Sequence, residues 1–344
     1  MKENLVSRRH FIQTCGILGV GLTVGGAMPF AAEAAKINRT QYRVSRSKPA
    51  MGTIVTMTVI HDSRDLADEA IGRAFNEIEK LSAVFDRYKS FTPVSALNSN
   101  GRIVGPPPEL KEVMGHALNY NRLTGSAFDV TVAPVVDLFK RKSSAGQKLE
   151  MSGKEFSDAV NLVGSDGIEI SSNAISLNKS GMGVTLDGIA KGYIVDRASD
   201  VLARHGAVNH LLNAGGDIRT MGQRSENRPW KIAIEDPAKK GNYPDIITMR
   251  DGAVATSGGY EVYFDKEKMF HHVITPSTGR SPIMAKSVSV KAPTVMEADI
   301  LSTSVFVMHP KKGVALINSL PGRECLIVAD SGAQISSRKW GKLC

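Results

Sequence analysis

An α+β fold, with mixed and antiparallel sheets and packed helices, is predicted from three features of the sequence. Amphipathic helical stretches and short β-branched stretches both occur along the chain. They alternate without the strand–helix–strand rhythm of a doubly wound parallel sheet. No linker, internal repeat or low-complexity segment divides the 344 residues. Length alone allows two domains. The even pattern favours one compact unit, with room for two subdomains.

Residues 1–34 are an address and not part of the fold. Ser7-Arg8-Arg9-His10-Phe11-Ile12 sets adjacent arginines ahead of residues 16–28, an apolar stretch with five glycines. That stretch is too short and too glycine-rich to span a bilayer stably. Ala32-Glu33-Ala34 offers a small-x-small cleavage site. The order of these features is that of a twin-arginine export signal, and it implies the bacterial periplasm. An ordinary secretory signal or an uncleaved anchor are the alternatives. Cys15 precedes the apolar stretch, so it is not a lipoprotein cysteine. Residues 35–344 form the working domain. No later stretch reaches eighteen apolar residues, so no permanent membrane anchor is expected.

Residues 53–60 are rich in β-branched side chains and read as a strand. Residues 65–85 place Leu66, Ala70, Ile71, Ala74, Phe75, Ile78 and Leu81 at helical spacing. Pro106-Pro107-Pro108 opens a second helix that turns Leu110, Val113, Met114, Ala117 and Leu118 inward. Residues 141–153 are polar and read as a loop. Residues 187–204 are helical, with Ala190, Ile194, Ala198, Val201 and Leu202 on one face. Strands are expected at 209–213, 230–234, 252–255, 287–292 and 324–329, and a helix at 296–307.

The chain carries 43 Lys and Arg against 34 Asp and Glu, a net +9. The basic residues are scattered in pairs and triples such as Lys140-Arg141-Lys142, and there are only 7 Tyr and 2 Trp. Little material remains for a base-stacking platform, so no nucleic-acid partner is expected. Three cysteines exclude a disulfide scaffold. Of these, Cys325 and Cys344 lie beyond the signal, and whether they pair is open.

Five short stretches have chemical potential, each with a plain structural alternative. Asp187-Gly188-Ile189-Ala190-Lys191 enters a helix, where free N–H groups suit phosphate. Asp187 can equally be an N-cap with an i,i+4 partner in Lys191. Asn213-Ala214-Gly215-Gly216-Asp217 allows positive φ and close backbone approach to a ligand, or simply a tight turn with an Asx bond. His271-His272 follows the Ser/Gly turn at 255–260 and offers a general base; zinc spacing is absent. Asp299 and Thr303 share a helix face, and two oxygen donors suit a hard cation such as Mg²⁺. Gly125-Ser126-Ala127-Phe128-Asp129 can pack on a ring ligand or be a loop held by Phe128 in the core.

Together, in order, these stretches resemble the FAD:protein FMN transferase, or ApbE, family. The pattern begins with Met51-Gly52-Thr53, then Asp86-Arg87-Tyr88 with Ser95 and Asn98. It continues with Gly125-x-x-Phe128-Asp129-x-Thr131, Gly188-Ile189-Ala190-Lys191-Gly192-Tyr193 and Gly215-Gly216-Asp217. It closes with Thr256-Ser257-Gly258, His272-x-Ile274-x-Pro276-x-Thr278-Gly279 and Ala298-Asp299-x-x-x-Thr303. The resemblance covers about residues 44–330.

The resemblance implies transfer of FMN from FAD to a Thr or Ser hydroxyl of an acceptor flavoprotein, with release of AMP. It implies that Met51, Tyr88, Ala127, Phe128, Asp129, Lys191 and His272 line the FAD site. It implies that Asp299, Thr303 and the Gly188 carbonyl hold Mg²⁺. His272 is placed near the reacting phosphate as the candidate base, and Asp299 joins it as a catalytic residue through the metal. The family's Asp-Leu-Gly-Gly reads Thr185-Leu186-Asp187-Gly188 here, so either Thr185 or Asp187 meets the ligand. The family's His-Ile-Ile-Asp-Pro reads His272-Val273-Ile274-Thr275-Pro276, with one carboxylate fewer beside the His. Expected acceptors are periplasmic flavoprotein subunits of membrane electron-transport complexes. These include the sodium-pumping NADH:quinone reductase type and nitrous-oxide-reductase maturation partners. A Mg²⁺-dependent FAD pyrophosphatase and a non-enzymatic flavin-binding protein are the other readings.

Overall fold

The computed structural model describes residues 6–7, 32–37, 40–143, 152–238, 242–259 and 271–341. Its frame is a nine-stranded sheet: β1 Ala32–Lys36, β2 Tyr42–Ala50, β3 Thr53–His61, β4 Asn209–Ala214, β5 Asp217–Met221, β6 Gly252–Gly258, β7 Ala285–Ala292, β8 Glu324–Ala329 and β9 Gln334–Ser336. Each strand pairs antiparallel with the one before it, so the sheet is a meander with long insertions. The strands expected at 53–60, 209–213, 252–255, 287–292 and 324–329 all lie in this sheet. The sixth, 230–234, is the Trp230–Ala233 strand of a separate hairpin with Ile246–Met249. An α+β architecture of helices on an antiparallel sheet is therefore present.

One face of the sheet is covered by three helices: α1 Arg64–Phe85, α6 Ala190–Arg204 and α7 Val295–Val307. Helix α1 starts at the cap Ser63, whose hydroxyl accepts the Leu66 N–H. That register turns Ala67, Ala70, Ile71, Ala74, Phe75, Ile78 and Leu81 inward and leaves Leu66 half in solvent, a correction to the expected apolar face. Between α1 and α6 come α2 Pro93–Asn100, α3 Pro108–Leu123, α4 Ala133–Ser143 and α5 Gly153–Val160. Helix α8, Pro310–Ser319, follows α7. The opposite face of the sheet packs Ile218, Val254 and Leu326 against Ile232, Ile247 and Met249 of the Trp230 hairpin.

Three expectations change. Residues 141–153 are not a continuous loop: α4 runs to Ser143, and α5 opens at Gly153 with a capping box between Ser152 and Glu155. The polarity of the α4 end belongs to cations in a last helical turn, where the helix dipole favours them. The turn expected at 255–260 is strand as far as Gly258. The helix expected from Asp187 begins at Ala190, after a turn. Residues 8–31 of the twin-arginine segment, residues 144–151, Tyr260 and Cys344 lie outside the described residues, whereas residues 32–34, expected to be apart from the fold, are part of β1; Cys325 is a buried free thiol. Among the described residues no helix is long and apolar enough to cross a membrane.

Buried polar groups fix how the helices sit. His210 of β4 is fully buried beneath α6, with Nε2 2.7 Å from Ser199 Oγ and Nδ1 2.6 Å from the Ala207 carbonyl. A carbonyl can only accept, so Nδ1 carries the proton and Nε2 accepts from Ser199. Desolvation lowers the His210 pKa from 6.5 to about 4. Between those values the unfolded chain binds a proton that the fold refuses. Stability is therefore expected to fall as pH drops from 6.5 to 4, by about 3 kcal/mol from this group. Denaturant titrations at pH 7 and pH 5 should show about 2 kcal/mol of that loss in the native chain and a smaller one in His210→Gln.

Candidate functional site

The site lies where two hairpin turns and the start of α6 meet. The β2–β3 turn is Met51-Gly52, with φ of 52° and 71°. Two positive φ values define the tight turn that suits strand twist, and Asn or Asp usually takes its first position. Methionine there is strained, as residues at ligand sites often are. The β4–β5 turn is Gly215-Gly216, with φ of 63° and 99°. The Asn213 side chain accepts the Gly216 N–H at 2.9 Å, the expected Asx bond. A Cβ at Gly215 would collide with the Thr53 hydroxyl, so the two turns share one edge of the sheet.

Asp217, just past the second turn, is buried and pairs with Lys191 Nζ at 2.7 Å. Lys191 therefore does not pair with Asp187, as helical spacing suggested. A buried carboxylate needs a counter-charge far more than an exposed one does. Nor is Asp187 an N-cap. The N–H groups of Ile189 and Ala190 both close on the Leu186 carbonyl, and Ile189 caps α6 without a side-chain bond. Asp187 is left at the surface, where the Tyr88 hydroxyl reaches it at 3.4 Å. The first turn of α6 thus has no side-chain cap, the arrangement that favours an anion.

Thr185 is buried, and its N–H donates to the Val130 carbonyl at 2.7 Å. Of the two residues left open by the sequence, Asp187 is the one at the surface. Tyr88 is exposed, with Lys140 Nζ 4.2 Å from its ring centre and the Arg87 guanidinium 5.1 Å away. Burial first, and then Asp187, raise the Tyr88 pKa to about 12. Ala127 and Phe128 follow a loop with positive φ at Gly125 and Ser126. Phe128 is buried with its ring edge 3.4 Å from where a Gly188 side chain would begin. The Asp129 carboxylate is engaged internally: it accepts from Thr131, Ser165 and Asn121 and caps a short helix at Val130–Val132.

Helix α7 is buried on nearly every side and carries two carboxylates two residues apart. Glu297 is fully matched: Arg323 binds both oxygens at 2.9 and 2.8 Å, and Tyr120 donates at 2.7 Å. Asp299 is not, and its Oδ2 is buried without a hydrogen-bond partner. Burial pushes its pKa well above the carboxylate range, and the Asp217 charge adds to this. Lys191 and the Gly192 N–H pull the other way. One helical turn on, Thr303 Oγ1 lies 3.1 Å from where a Gly188 Cβ would stand. Asp299, held to the Gly192 N–H, and Thr303, beside Gly188, therefore both stand at the start of α6. This all-oxygen set suits a hard divalent cation. Among the described residues no group of three or more His, Cys, Asp or Glu is placed to hold a metal.

The register of α7 is held from its N-terminus. Asp196 of α6 accepts the Val295 and Met296 N–H groups at 2.9 Å each. Gly192 lets the helices touch, since a Cβ there would stand 2.6 Å from Met296 Cα and 2.7 Å from Val295 O. Neither atom belongs to a flexible side chain. Gly192→Ala is therefore expected to cost about 1–3 kcal/mol in denaturant unfolding and to move Asp299 off the Gly192 N–H.

The two histidines of the pair differ. His271 is buried, with Nε2 3.0 Å from the Pro282 carbonyl and its N–H donating to Ser281 Oγ. His272 is half-buried. It is joined to β6 through residues 260–270, outside the described range. Two contributors were quoted in the sequence but given no role: Asp217, signalled only by the preceding glycines, and Ser257. Ser257, the penultimate residue of β6, lies 3.1 Å from Thr303 Oγ1, a contact between strand and helix that spacing does not reveal.

Residues 51–327 match the model of the ApbE family. The chain is 31% identical over 304 residues to the FAD:protein FMN transferase of Haemophilus influenzae, covering 84% of this chain and 87% of that one. It is 32% identical over 292 residues to the FAD:protein FMN transferase of Vibrio cholerae, covering 81% and 86%. Among solved structures, the ApbE protein of Thermotoga maritima superposes with a TM-score of 0.78 at 28% identity, over 87% of this chain and 98% of that one. The flavin transferase ApbE of Vibrio cholerae gives 0.75 at 28% identity, over 91% and 100%. The antiparallel frame, the ordered motifs and these likenesses agree: the chain belongs to the ApbE family.

Proposed function

We propose that this chain is a Mg²⁺-dependent FAD:protein FMN transferase. The observation that carries this is the unpartnered Asp299 oxygen on a buried helix, with Asp299 held to the Gly192 N–H and Thr303 one turn on beside Gly188, both at the start of α6. The names of the relatives in Haemophilus influenzae and Vibrio cholerae support it. The acceptor Thr or Ser oxygen forms a bond to the FMN phosphorus, the bond from that phosphorus to the AMP phosphate breaks, and AMP leaves. Mg²⁺, when bound, neutralises charge on the pyrophosphate. Asp299, Thr303 and the Gly188 carbonyl hold it. The start of α6 turns the positive end of its dipole toward the phosphates, and Lys191 keeps Asp217 neutralised beside them. Tyr88, Met51, Ala127 and Phe128 hold the rest of FAD, and His272 takes the hydroxyl proton.

The test incubates the chain lacking residues 1–34 with FAD, Mg²⁺ and a flavoprotein subunit of a membrane electron-transport complex. The expected result is a fluorescent acceptor band on a denaturing gel, with a mass gain equal to bound FMN. Free FMN and AMP with an unmodified acceptor would instead favour a pyrophosphatase. We further propose export to the periplasm by the twin-arginine route. Arg8→Lys with Arg9→Lys should then leave the protein in the cytoplasmic fraction.

A further inference from the structure

Thr303, Ser257, Ser302 and the Asp299 backbone carbonyl form a chain of close oxygens. Ser302 Oγ donates to the Asp299 carbonyl at 3.0 Å. Ser257 Oγ lies 2.7 Å from Ser302 Oγ and 3.1 Å from Thr303 Oγ1. Each hydroxyl has one proton to give and two lone pairs with which to accept. Ser302 has spent its proton on a carbonyl, which cannot donate. At the Ser257–Ser302 contact Ser257 must therefore be the donor. Ser257 has then spent its own proton, so at the remaining contact Thr303 donates to Ser257. The direction runs from Thr303 to Ser257 to Ser302 to the Asp299 carbonyl.

The consequence falls on Thr303. Its proton points toward β6, and its lone pairs are left for the side where Gly188 stands. We propose that Ser257 is a positioning residue that turns the Thr303 oxygen into a ready ligand for a divalent cation. This rests on the metal reading given under the proposed function. Ser302 and Ser257 are both at least half-buried, so water does not readily replace the missing acceptor. Without Ser257 the Thr303 proton is free to rotate toward the cation, where it repels instead of binding. Partners that orient a ligand in this way typically alter metal affinity 10–100-fold.

The test is direct Mn²⁺ binding to the whole chain, followed by the paramagnetic signal of the free ion and needing no turnover. Ser257→Ala is expected to weaken Mn²⁺ binding about tenfold or more, while Ser257→Thr, which keeps the hydroxyl, restores it. Circular dichroism and the unfolding midpoint confirm that both variants fold. Unchanged Mn²⁺ affinity in a folded Ser257→Ala would overturn the proposal, and so would tighter binding, which is the signature of the opposite proton direction. Absence of Mn²⁺ binding by the unaltered chain would overturn the metal reading itself. Binding by the unaltered chain with no difference in the variant defeats only the role of Ser257.

Discussion

Replacement of Asp299 by Asn or Ala is expected to abolish Mg²⁺-dependent flavin transfer, with kcat/KM falling about a thousand-fold or more. A metal that stabilises a phosphoryl transition state contributes several kcal/mol, and each 1.36 kcal/mol is a factor of ten. Asp299 supplies the charged donor among the proposed ligands. The same change should stabilise the metal-free fold. An ionised carboxylate with a buried, unpartnered oxygen and a raised pKa opposes folding above its unfolded pKa. At neutral pH the neutral Asn removes that cost, and the melting temperature should rise by about 2–4 °C for each kcal/mol recovered. The gain should shrink as pH falls toward the carboxylate range, where the native Asp is protonated in both states. Lost turnover with a raised melting temperature identifies a functional carboxylate. Intact turnover in a folded variant would sink the metal assignment.

Replacement of His272 by Gln should lower the rate of transfer about 100–10,000-fold, the usual value of a positioned general base. FAD binding, read from flavin fluorescence quenching, should change little, because a base acts on the acceptor hydroxyl. The neighbouring His271 provides the contrast. It is buried and ties the 281–282 segment in place, so His271→Gln should lower stability and leave a folded fraction that still turns over. A loss of FAD binding in His272→Gln equal to the loss of rate would count against a base and in favour of a flavin contact.

Much of the frame was legible because periodicity reports burial directly. Residues 53–60 and 190–204 take the predicted states, since their apolar spacing matches the faces they bury, and 296–307 is the expected helix although it is buried on nearly every side. Legibility failed at boundaries and partners. Asp187 and Lys191 have the spacing of a helical ion pair, yet the turn at 187–189 and the buried charge of Asp217 separate them. Leu66 has helical spacing, yet the Ser63 cap sets a register that turns it outward. The polar stretch at 141–153 concealed two helix ends, because caps and dipole-matched cations look like loop composition.

The sequence by itself determined the resemblance to the family, five of the nine strands of the sheet, and the residue types gathered for phosphate and cation chemistry. These depend on local pattern and on the wording of short motifs. Only the tertiary structure decided which charges are satisfied. Glu297 and Asp299 are equal in sequence, two acids on one apolar helix, but Arg323 and Tyr120 reach the first and no hydrogen-bond partner reaches Oδ2 of the second. Whether a buried carboxylate is spent or available depends on side chains brought together from distant parts of the chain. A linear pattern does not encode that pairing, because the cost of burying charge is set by the three-dimensional surroundings.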